Sequence, residues 1–120
     1  MTSLFAWIEV PVSDFTRARE FYEGLLGLPI TEHDLDGVKH GFWENTDNSV
    51  GGAIVTEGTP SKTGPLVYFD GGDDLQNFLN KIPSLGGAIV LEKSLITPEI
   101  GYYAIFIDTE GNRFAFWSSK

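Results

Sequence analysis

Glu9 is the side chain whose type and position most suggest chemistry. It follows Trp7 by two residues in Leu-Phe-Ala-Trp-Ile-Glu-Val-Pro-Val, an aromatic and β-branched segment that predicts a strand. Because side chains repeat every second residue along a strand, Glu9 and Trp7 share one face. A carboxylate beside an aromatic ring is costly unless it is paired. We therefore expect Glu9 to pair with Arg113 or Tyr68, to act as a general base whose basicity burial increases, or to face water.

Two histidines and a second glutamate offer a weaker alternative, a metal site. His40 and Glu44 share a face of a predicted short strand, but together with Glu9 they form no recognised metal-ligand spacing. His40 is interpreted as a packing or surface residue, with a ligand role as the alternative. His33 lies among acidic residues and is interpreted as part of a solvated charge cluster.

Alternation along the predicted strands places further candidate side chains beside Glu9. The resulting inner face is apolar and aromatic with one carboxylate and one guanidinium, a mixture that suits a small ligand with an aromatic or planar part. The predicted ligand-binding residues are Trp7, Glu9, Gly52, Leu66, Tyr68, Arg113, Ala115 and Trp117, and Val50, Ile54 and Asp70 are expected on the same face.

Composition limits the classes of partner. The chain has 120 residues, a formal net charge of −9 and no cysteine. This length predicts a single domain, and the lack of cysteine excludes disulfides and thiolate metal sites. The acidity makes nucleic acid and anionic membrane surfaces unlikely partners. Because no stretch approaches the roughly 20 apolar residues of a membrane span and the start lacks a secretory pattern, a cytoplasmic protein is expected.

The elements that must position these residues occur twice in the chain. A shift of 59 residues superimposes Asp14 on Asp73 and Gly27 on Gly86, and similar matches follow at Leu26 and Ile30. The repeat predicts a module at 1–57, a linker at 58–64 and a second module at 65–120. Each module has the element order βαβββ. The predicted fold is α+β, with two tandem βαβββ modules whose curved mixed sheets form a cup.

Local signals set the expected bounds of these elements. Asp14 is an N-cap and Gly27 a helix end, which predicts a helix at 15–26, and a second helix is expected from Asp73 or Asp74 to about Leu85. A long loop at 93–101 is interpreted as a lid over the cup or as a cap on the core. Turns are predicted at 36–37 and 45–48. The predicted strands are 4–12, 29–34, 38–45, 49–56, 66–70, 88–92, 101–107 and 112–118.

Two segments resemble a known superfamily. Val12-Ser13-Asp14 with Ala18, Phe21-Tyr22 and Leu26-Gly27 resembles the opening of the vicinal oxygen chelate superfamily, and the run from Phe106 to Asn112 resembles its closing turn, with Thr109 where proline is usual. That superfamily includes glyoxalase I, bleomycin-resistance proteins and extradiol dioxygenases. The resemblance covers essentially the whole chain and implies paired modules, a homodimer and a ligand bound inside curved sheets.

The resemblance also implies where a divalent metal would be held. Enzymes of the superfamily use His, Gln or Glu at four strand positions. In this chain the corresponding residues are Trp7, Gly52, Leu66 and Ala115. None of these side chains carries a lone pair suited to such a cation. No cofactor is therefore expected, and a divalent metal is disfavoured.

Three functions remain open on this basis. The first is a metal-free protein that binds a small hydrophobic or aromatic molecule, as bleomycin-resistance proteins do without chemistry. The second is an enzyme of the lyase or dioxygenase type that uses a non-standard metal site or Glu9 as general base. The third is a structural module whose dimer interface is its purpose. The missing metal ligands favour the first and third over the second, and the negative charge favours a cationic ligand over an anionic one.

Overall fold

A computed structural model describes residues 4–44 and 50–120 of the chain. The chain forms two compact units, Met1–Pro60 and Ser61–Lys120. Each unit has one four-stranded mixed sheet with helical structure on one face. Among the described residues, no helix is long and apolar enough to cross a membrane.

The first unit follows the predicted βαβββ order. Its elements are β1 (Trp7–Pro11), α1 (Phe15–Leu26), β2 (Ile30–Leu35), β3 (Val38–Trp43) and β4 (Gly51–Val55). In its sheet, β1 is parallel to β4, and β4, β3 and β2 are antiparallel neighbours in that spatial order. The predicted turn at 45–48 and the predicted strand ends at 45 and 49 lie outside the described residues.

Helix α1 begins and ends where the sequence signals predict. The Asp14 carboxylate accepts a hydrogen bond from the Arg17 backbone N–H at 3.0 Å, which satisfies one of the free amides of the first turn. Gly27 adopts the left-handed conformation with φ of 69° and donates to the Glu23 carbonyl. The helix packs on its sheet through the apolar face formed by Phe15, Ala18, Phe21, Tyr22 and Leu25.

The second unit repeats the same sheet topology. Its elements are β5 (Val67–Asp70), α2 (Gln76–Leu79), a 3₁₀ turn (Pro83–Leu85), β6 (Ala88–Thr97), β7 (Gly101–Ile107) and β8 (Arg113–Ser118). The strands lie in the order β5-β8-β7-β6, with β5 parallel to β8 and the other pairs antiparallel. Gly86 is left-handed with φ of 99°, as Gly27 is in the first unit. The α+β fold with two βαβββ modules is therefore confirmed.

The prediction of one long helix up to Leu85 is wrong. Helix α2 has four residues, and a separate 3₁₀ turn begins at Pro83. Proline lacks the N–H that a helix interior needs, and its ring collides with the carbonyl four residues earlier. Of the two predicted caps, Asp74 accepts a hydrogen bond from the Gln76 N–H at 2.9 Å.

The prediction of a lid loop at 93–101 is also wrong. Strand β6 continues to Thr97 and pairs with β7, so that Leu95 lies opposite Tyr102. The register of β6 shifts at three places along this pairing. Such bulges interrupt the two-residue alternation by which a strand is recognised in a sequence. Only a short turn after Thr97 connects the two strands, and the Thr97 hydroxyl accepts a bond from the Ile100 N–H at 3.0 Å.

Candidate functional site

The far face of the first sheet, meaning the face that points away from α1, carries the side chains most suited to chemistry. The strand register shows which side chains share this face, because Glu9 is paired with Ala53, Ala53 with Phe42, and Val55 with His40. Strand β2 adds His33, which is the register partner of His40. The far face is lined by Trp7, Glu9, Thr31, His33, Leu35, Val38, His40, Phe42, Ala53 and Val55.

Glu9 has two partners on this face, and both belong to the first unit. Its Oε2 accepts a hydrogen bond from the Trp7 indole N–H at 3.3 Å. The same oxygen lies 3.5 Å from Nε2 of His40, which is ion-pair distance but long for a direct hydrogen bond. The partners expected from the sequence, Arg113 and Tyr68, belong to the second unit. Within its own unit, Glu9 is therefore held by two residues that were not expected as its partners from the sequence.

The tautomer of His40 is set by its backbone contact. Nδ1 lies 3.0 Å from the Val38 carbonyl oxygen, which can only accept, so Nδ1 carries a proton and donates it. In a neutral imidazole, Nε2 is then an acceptor, and it faces the Glu9 carboxylate, which is also an acceptor. The two atoms attract each other only when a proton or another donor lies between them. This arrangement is suited to holding a proton or a cation.

Aromatic rings surround the pair. Trp7 contacts Phe42 edge to face at a centroid distance of 4.9 Å, and His33 lies against Phe42 at 4.5 Å. The first contact has the edge-to-face geometry that aromatic pairs prefer, and in the second the ring planes are tilted by 49°. His33 is nevertheless exposed, together with its neighbours Glu32 and Asp34, as its sequence context predicted. The His40 side chain is 13% exposed, whereas that of Glu9 is 47% exposed.

A cavity of about 380 Å³ opens beside Glu9 and His40. Leu35, Val38 and Val55 form its apolar walls, and its remaining lining residues are Asp36, Glu57 and Gly58. The volume lies in the range typical of small-molecule sites. Among the described residues that line the cavity there is no lysine or arginine. The site thus combines an apolar wall, three carboxylates and one imidazole.

The prediction that Gly52 and Ile54 share a sheet face with Glu9 is wrong. A Cβ at Gly52 would meet the Ile8 carbonyl at 2.5 Å and the ring of Trp43, which contacts Tyr22 of α1. Both Gly52 and Ile54 therefore point to the helix side of the sheet. The prediction was displaced by one residue, which moves a strand's side chains to the opposite face.

The corrected register identifies the residue that corresponds to Ala115. Ala115 pairs with Tyr68 in the second unit, as Ala53 pairs with Glu9 in the first. On this register, the four metal positions implied by the resemblance correspond to Trp7, Ala53, Leu66 and Ala115, and none of these side chains carries a donor suited to a divalent cation. Among the described residues, no three His, Asp or Glu side chains form a group that could hold a metal ion.

The far face of the second sheet carries the other predicted ligand-binding residues. Tyr68 lies near Tyr103 at a ring distance of 6.5 Å, and the indole N–H of Trp117 donates to the Ile100 carbonyl at 2.9 Å. Arg113 donates from Nη2 to the Gly64 carbonyl at 3.3 Å, while its buried Nε has no hydrogen-bond partner. Leu66 directly precedes β5. These residues share a face as predicted, and their ligand-binding role stays a prediction.

The cavity and the pairing of Glu9 with His40 were not predicted from the sequence. Residue parity alone indicates which side chains share a face of one strand. It does not show that β4 lies between β1 and β3, or that the small side chain of Ala53 lets longer side chains meet above it. Val38 and His40 stand two residues apart, which was the available signal for a common face.

Comparison with known proteins places the chain in a family. The family model described as Glyoxalase/Bleomycin resistance protein/Dioxygenase superfamily matches residues 4–116. Among curated proteins, none matches the chain significantly in sequence.

Solved structures agree with the fold. A glyoxalase/bleomycin resistance protein from Albidiferax ferrireducens is 19% identical, with a TM-score of 0.74 over 97% of this chain and 99% of that one. The trypanothione-dependent glyoxalase I of Leishmania major is 15% identical, with a TM-score of 0.75 over 98% and 88%. An antibiotic-binding protein from a Streptomyces species is 22% identical, with a TM-score of 0.68 over 99% and 98%. At these identities the structures show a common fold, and with the family match they lead to one conclusion: the chain belongs to the glyoxalase/bleomycin resistance protein/dioxygenase superfamily.

Proposed function

We propose that this protein binds a small molecule with a hydrophobic or aromatic part in the cavity of the first unit, without a metal ion. The observation that carries the proposal is the cavity of about 380 Å³, with apolar walls on one side and Glu9 and His40 on the other. Ligand sites usually combine apolar walls with polar groups that orient the ligand, and this cavity has both.

Two further observations support binding over the usual chemistry of the superfamily. Trp7, Ala53, Leu66 and Ala115 occupy the metal positions and carry no suitable donors. A solved structure with the same fold is an antibiotic-binding protein. Fold alone does not determine function, so the residues of the cavity are the main support.

The second candidate is an enzyme in which Glu9 is a general base. The contact between Glu9 and His40 favours it, because a carboxylate and an imidazole at the edge of a cavity can move a proton between ligand and solvent. The two candidates differ in the fate of the ligand. A binder returns it unchanged, whereas the enzyme converts it at a rate that Glu9→Gln reduces while binding persists.

The proposal retains three expectations from the sequence. Leu66, Tyr68, Arg113, Ala115 and Trp117 contribute to ligand binding, the protein is a homodimer, and it is cytoplasmic. Sedimentation equilibrium tests the homodimer, since a dimer has twice the mass of the 13.2 kDa chain.

Filling the cavity tests the proposed function. A panel of cationic, neutral and anionic aromatic compounds is screened by the thermal shift of the native protein, because a ligand that binds the folded state raises its stability. Val38→Trp and Leu35→Trp each place an indole in the cavity and should abolish the shift. Thr16→Trp, on the exposed side of α1, is the matched control and should retain it. No shift with any compound, or equal shifts in all variants, would contradict the proposal.

A further inference from the structure

We infer that Glu9 and His40 form a recognition point for the protonated nitrogen of a basic ligand, which competes with a proton for the space between their two facing atoms. The inference rests on the proposed function and names the chemical class of ligand: a small molecule that joins an apolar or aromatic part to an ammonium, amidinium or similar group.

Glu9 and His40 present two acceptor atoms to each other, and a donor group can bind between them. Because His40 Nδ1 donates to the Val38 carbonyl, the neutral ring presents only an acceptor at Nε2. Glu9 Oε2 is also an acceptor and lies 3.5 Å away. A single ammonium nitrogen can approach both atoms to about 2.9 Å, which is ordinary hydrogen-bond distance. The pair therefore accepts a donor group without any change in the backbone.

The other charges near His40 are mostly negative. From β1 it faces Glu9, from β2 its register partner is His33, and the cavity rim adds Asp36 and Glu57. Lys39 points to the other side of the sheet, where its ammonium lies 3.8 Å from Glu32 and above the ring of Phe15. The cavity lining among the described residues thus has three carboxylates and no permanent cation, which favours a positively charged ligand.

The proton balance of the pair links ligand binding to pH. When His40 is protonated, its imidazolium places a positive charge 3.5 Å from the Glu9 carboxylate. When an ammonium group binds, Nε2 becomes an acceptor and its proton passes to solvent, and no covalent bond between heavy atoms changes. Binding of a cation therefore competes with a proton. Affinity for the cation should therefore rise with pH, because fewer protons then compete for the same position.

The experiment is a calorimetric titration of the native protein with three probes of similar shape. Phenethylamine is the cation, phenethyl alcohol the neutral analogue and hydrocinnamate the anion. Each is measured near pH 5.5 and near pH 8 in two buffers of different ionisation enthalpy, which reports the protons released, because the histidine charge changes within this interval (about pH 5–8). Phenethylamine should bind about tenfold more tightly than the alcohol at the higher pH, as expected for a charge-assisted contact. At the lower pH it should bind more weakly and release a proton.

Variants distinguish a specific effect of Glu9 and His40 on cation binding from the effect of the overall negative charge of the cavity. Glu9→Gln should remove the preference for the cation, and His40→Phe should remove the pH dependence. Asp36→Asn deletes a charge from the same cavity, and Asn tolerates the left-handed conformation found there, with φ of 54°. His33→Gln should keep both the preference and the pH dependence, and Asp36→Asn should keep the pH dependence and lose less of the preference than Glu9→Gln does. Equal losses in Glu9→Gln and Asp36→Asn would overturn the inference.

The outcomes distinguish this inference from the proposed function. If the alcohol binds as tightly as the amine, or the affinity for the amine rises as pH falls, the cavity is a ligand site but the inference is wrong. If no probe and no compound of the aromatic panel binds, both fail. If amine binding to the His40→Phe variant depends on pH as strongly as binding to the native protein does, the role given to the imidazole is also wrong.

Discussion

Oε2 of Glu9 lies 3.5 Å from Nε2 of His40 although strand β4 separates the strands that carry them. On β4, the register partner of Glu9 is Ala53, which is completely buried, and the register partner of His40 is Val55. A small side chain at position 53 leaves room for longer neighbours to meet above it. The geometry of the candidate site therefore depends on the size of residue 53 as well as on the charged residues.

Replacing Ala53 tests that dependence. Ala53→Leu should push Glu9 and His40 apart and overfill a closed space, which lowers the free energy of unfolding by about 1–3 kcal/mol. The variant should also lose the preference for cationic over neutral ligands. Urea unfolding and the calorimetric titration measure the two effects. Ala53→Gly is the control: it should keep the preference and cost about 0.5–1 kcal/mol. An unchanged preference in Ala53→Leu would show that the contact across β4 is not needed.

Gly41 leaves no space for a side chain on the helix side of the same sheet. A Cβ there would lie 2.6 Å from Ile30 and 2.9 Å from Ile54, with the ring of Phe15 at 3.0 Å. Gly41→Ala should therefore reduce the free energy of unfolding by about 1–3 kcal/mol, as overpacking of a core does. Gly64→Ala is the matched control, because its nearest heavy atom would be 3.8 Å away. Equal unfolding midpoints of the two variants in urea would contradict this close packing around Gly41.

Asp74 gives the second unit a stability that depends on pH. Its hydrogen bond with the Lys93 ammonium at 2.9 Å, with a smaller contribution from the Gln76 N–H, lowers the pKa of the Asp74 carboxyl below its ordinary value of 3.8. A carboxyl whose pKa is lowered by folding stabilises the folded state above its unfolded pKa. This contribution disappears as pH falls through the folded pKa.

The Asp74→Asn variant measures this contribution. The native protein should be more stable than Asp74→Asn near neutral pH, and the difference should shrink below pH 3.8. Asp73→Asn removes the same charge from the neighbouring residue and should have a smaller effect. Urea unfolding as a function of pH provides the measurement. A stability difference that grows as the solution becomes more acidic would contradict a lowered pKa at Asp74.

Metal analysis tests whether the four positions Trp7, Ala53, Leu66 and Ala115 are unable to hold a cation. Because their side chains offer no suitable donors, the purified protein without a tag should contain no stoichiometric divalent metal. Zinc, nickel, manganese and ferrous iron should each leave its melting temperature unchanged, and a chelator should leave ligand binding unchanged. A melting temperature raised by several degrees in one metal would contradict the metal-free proposal.

Local sequence signals predicted the first half of the fold well. Asp14 and Gly27 mark the ends of α1 because capping depends on the chemistry of one residue and its near neighbours. The second helix was predicted too long, since the repeat suggested a copy of α1 and outweighed the local effect of Pro83. The extent of β6 was missed because its bulges remove the alternation that identifies a strand.

The candidate site was harder to predict, for reasons of geometry. Trp7 and Glu9 were correctly assigned to one face, because parity holds along a single strand. Gly52 was assigned to the wrong face, because the alternation of one strand cannot be extended across a loop of unknown shape. An error of one residue moves every side chain of the strand to the opposite face. The proximity of Glu9 and His40 depends on the spatial order of three strands, which no local pattern contains.

Both the proposed function and the inferred ligand class require that the first-unit cavity beside Glu9 and His40 is the ligand site. A two-dimensional NMR titration of the native protein with phenethylamine tests this near pH 8, where histidines are mostly neutral (the upper end of the range of about 5–8). We predict saturable shifts of the backbone amides of Glu9, Val38, His40, Val55 and Glu57, and their loss in Val38→Trp. Shifts confined to other residues, or shifts that persist unchanged in Val38→Trp, would show that the ligand binds elsewhere.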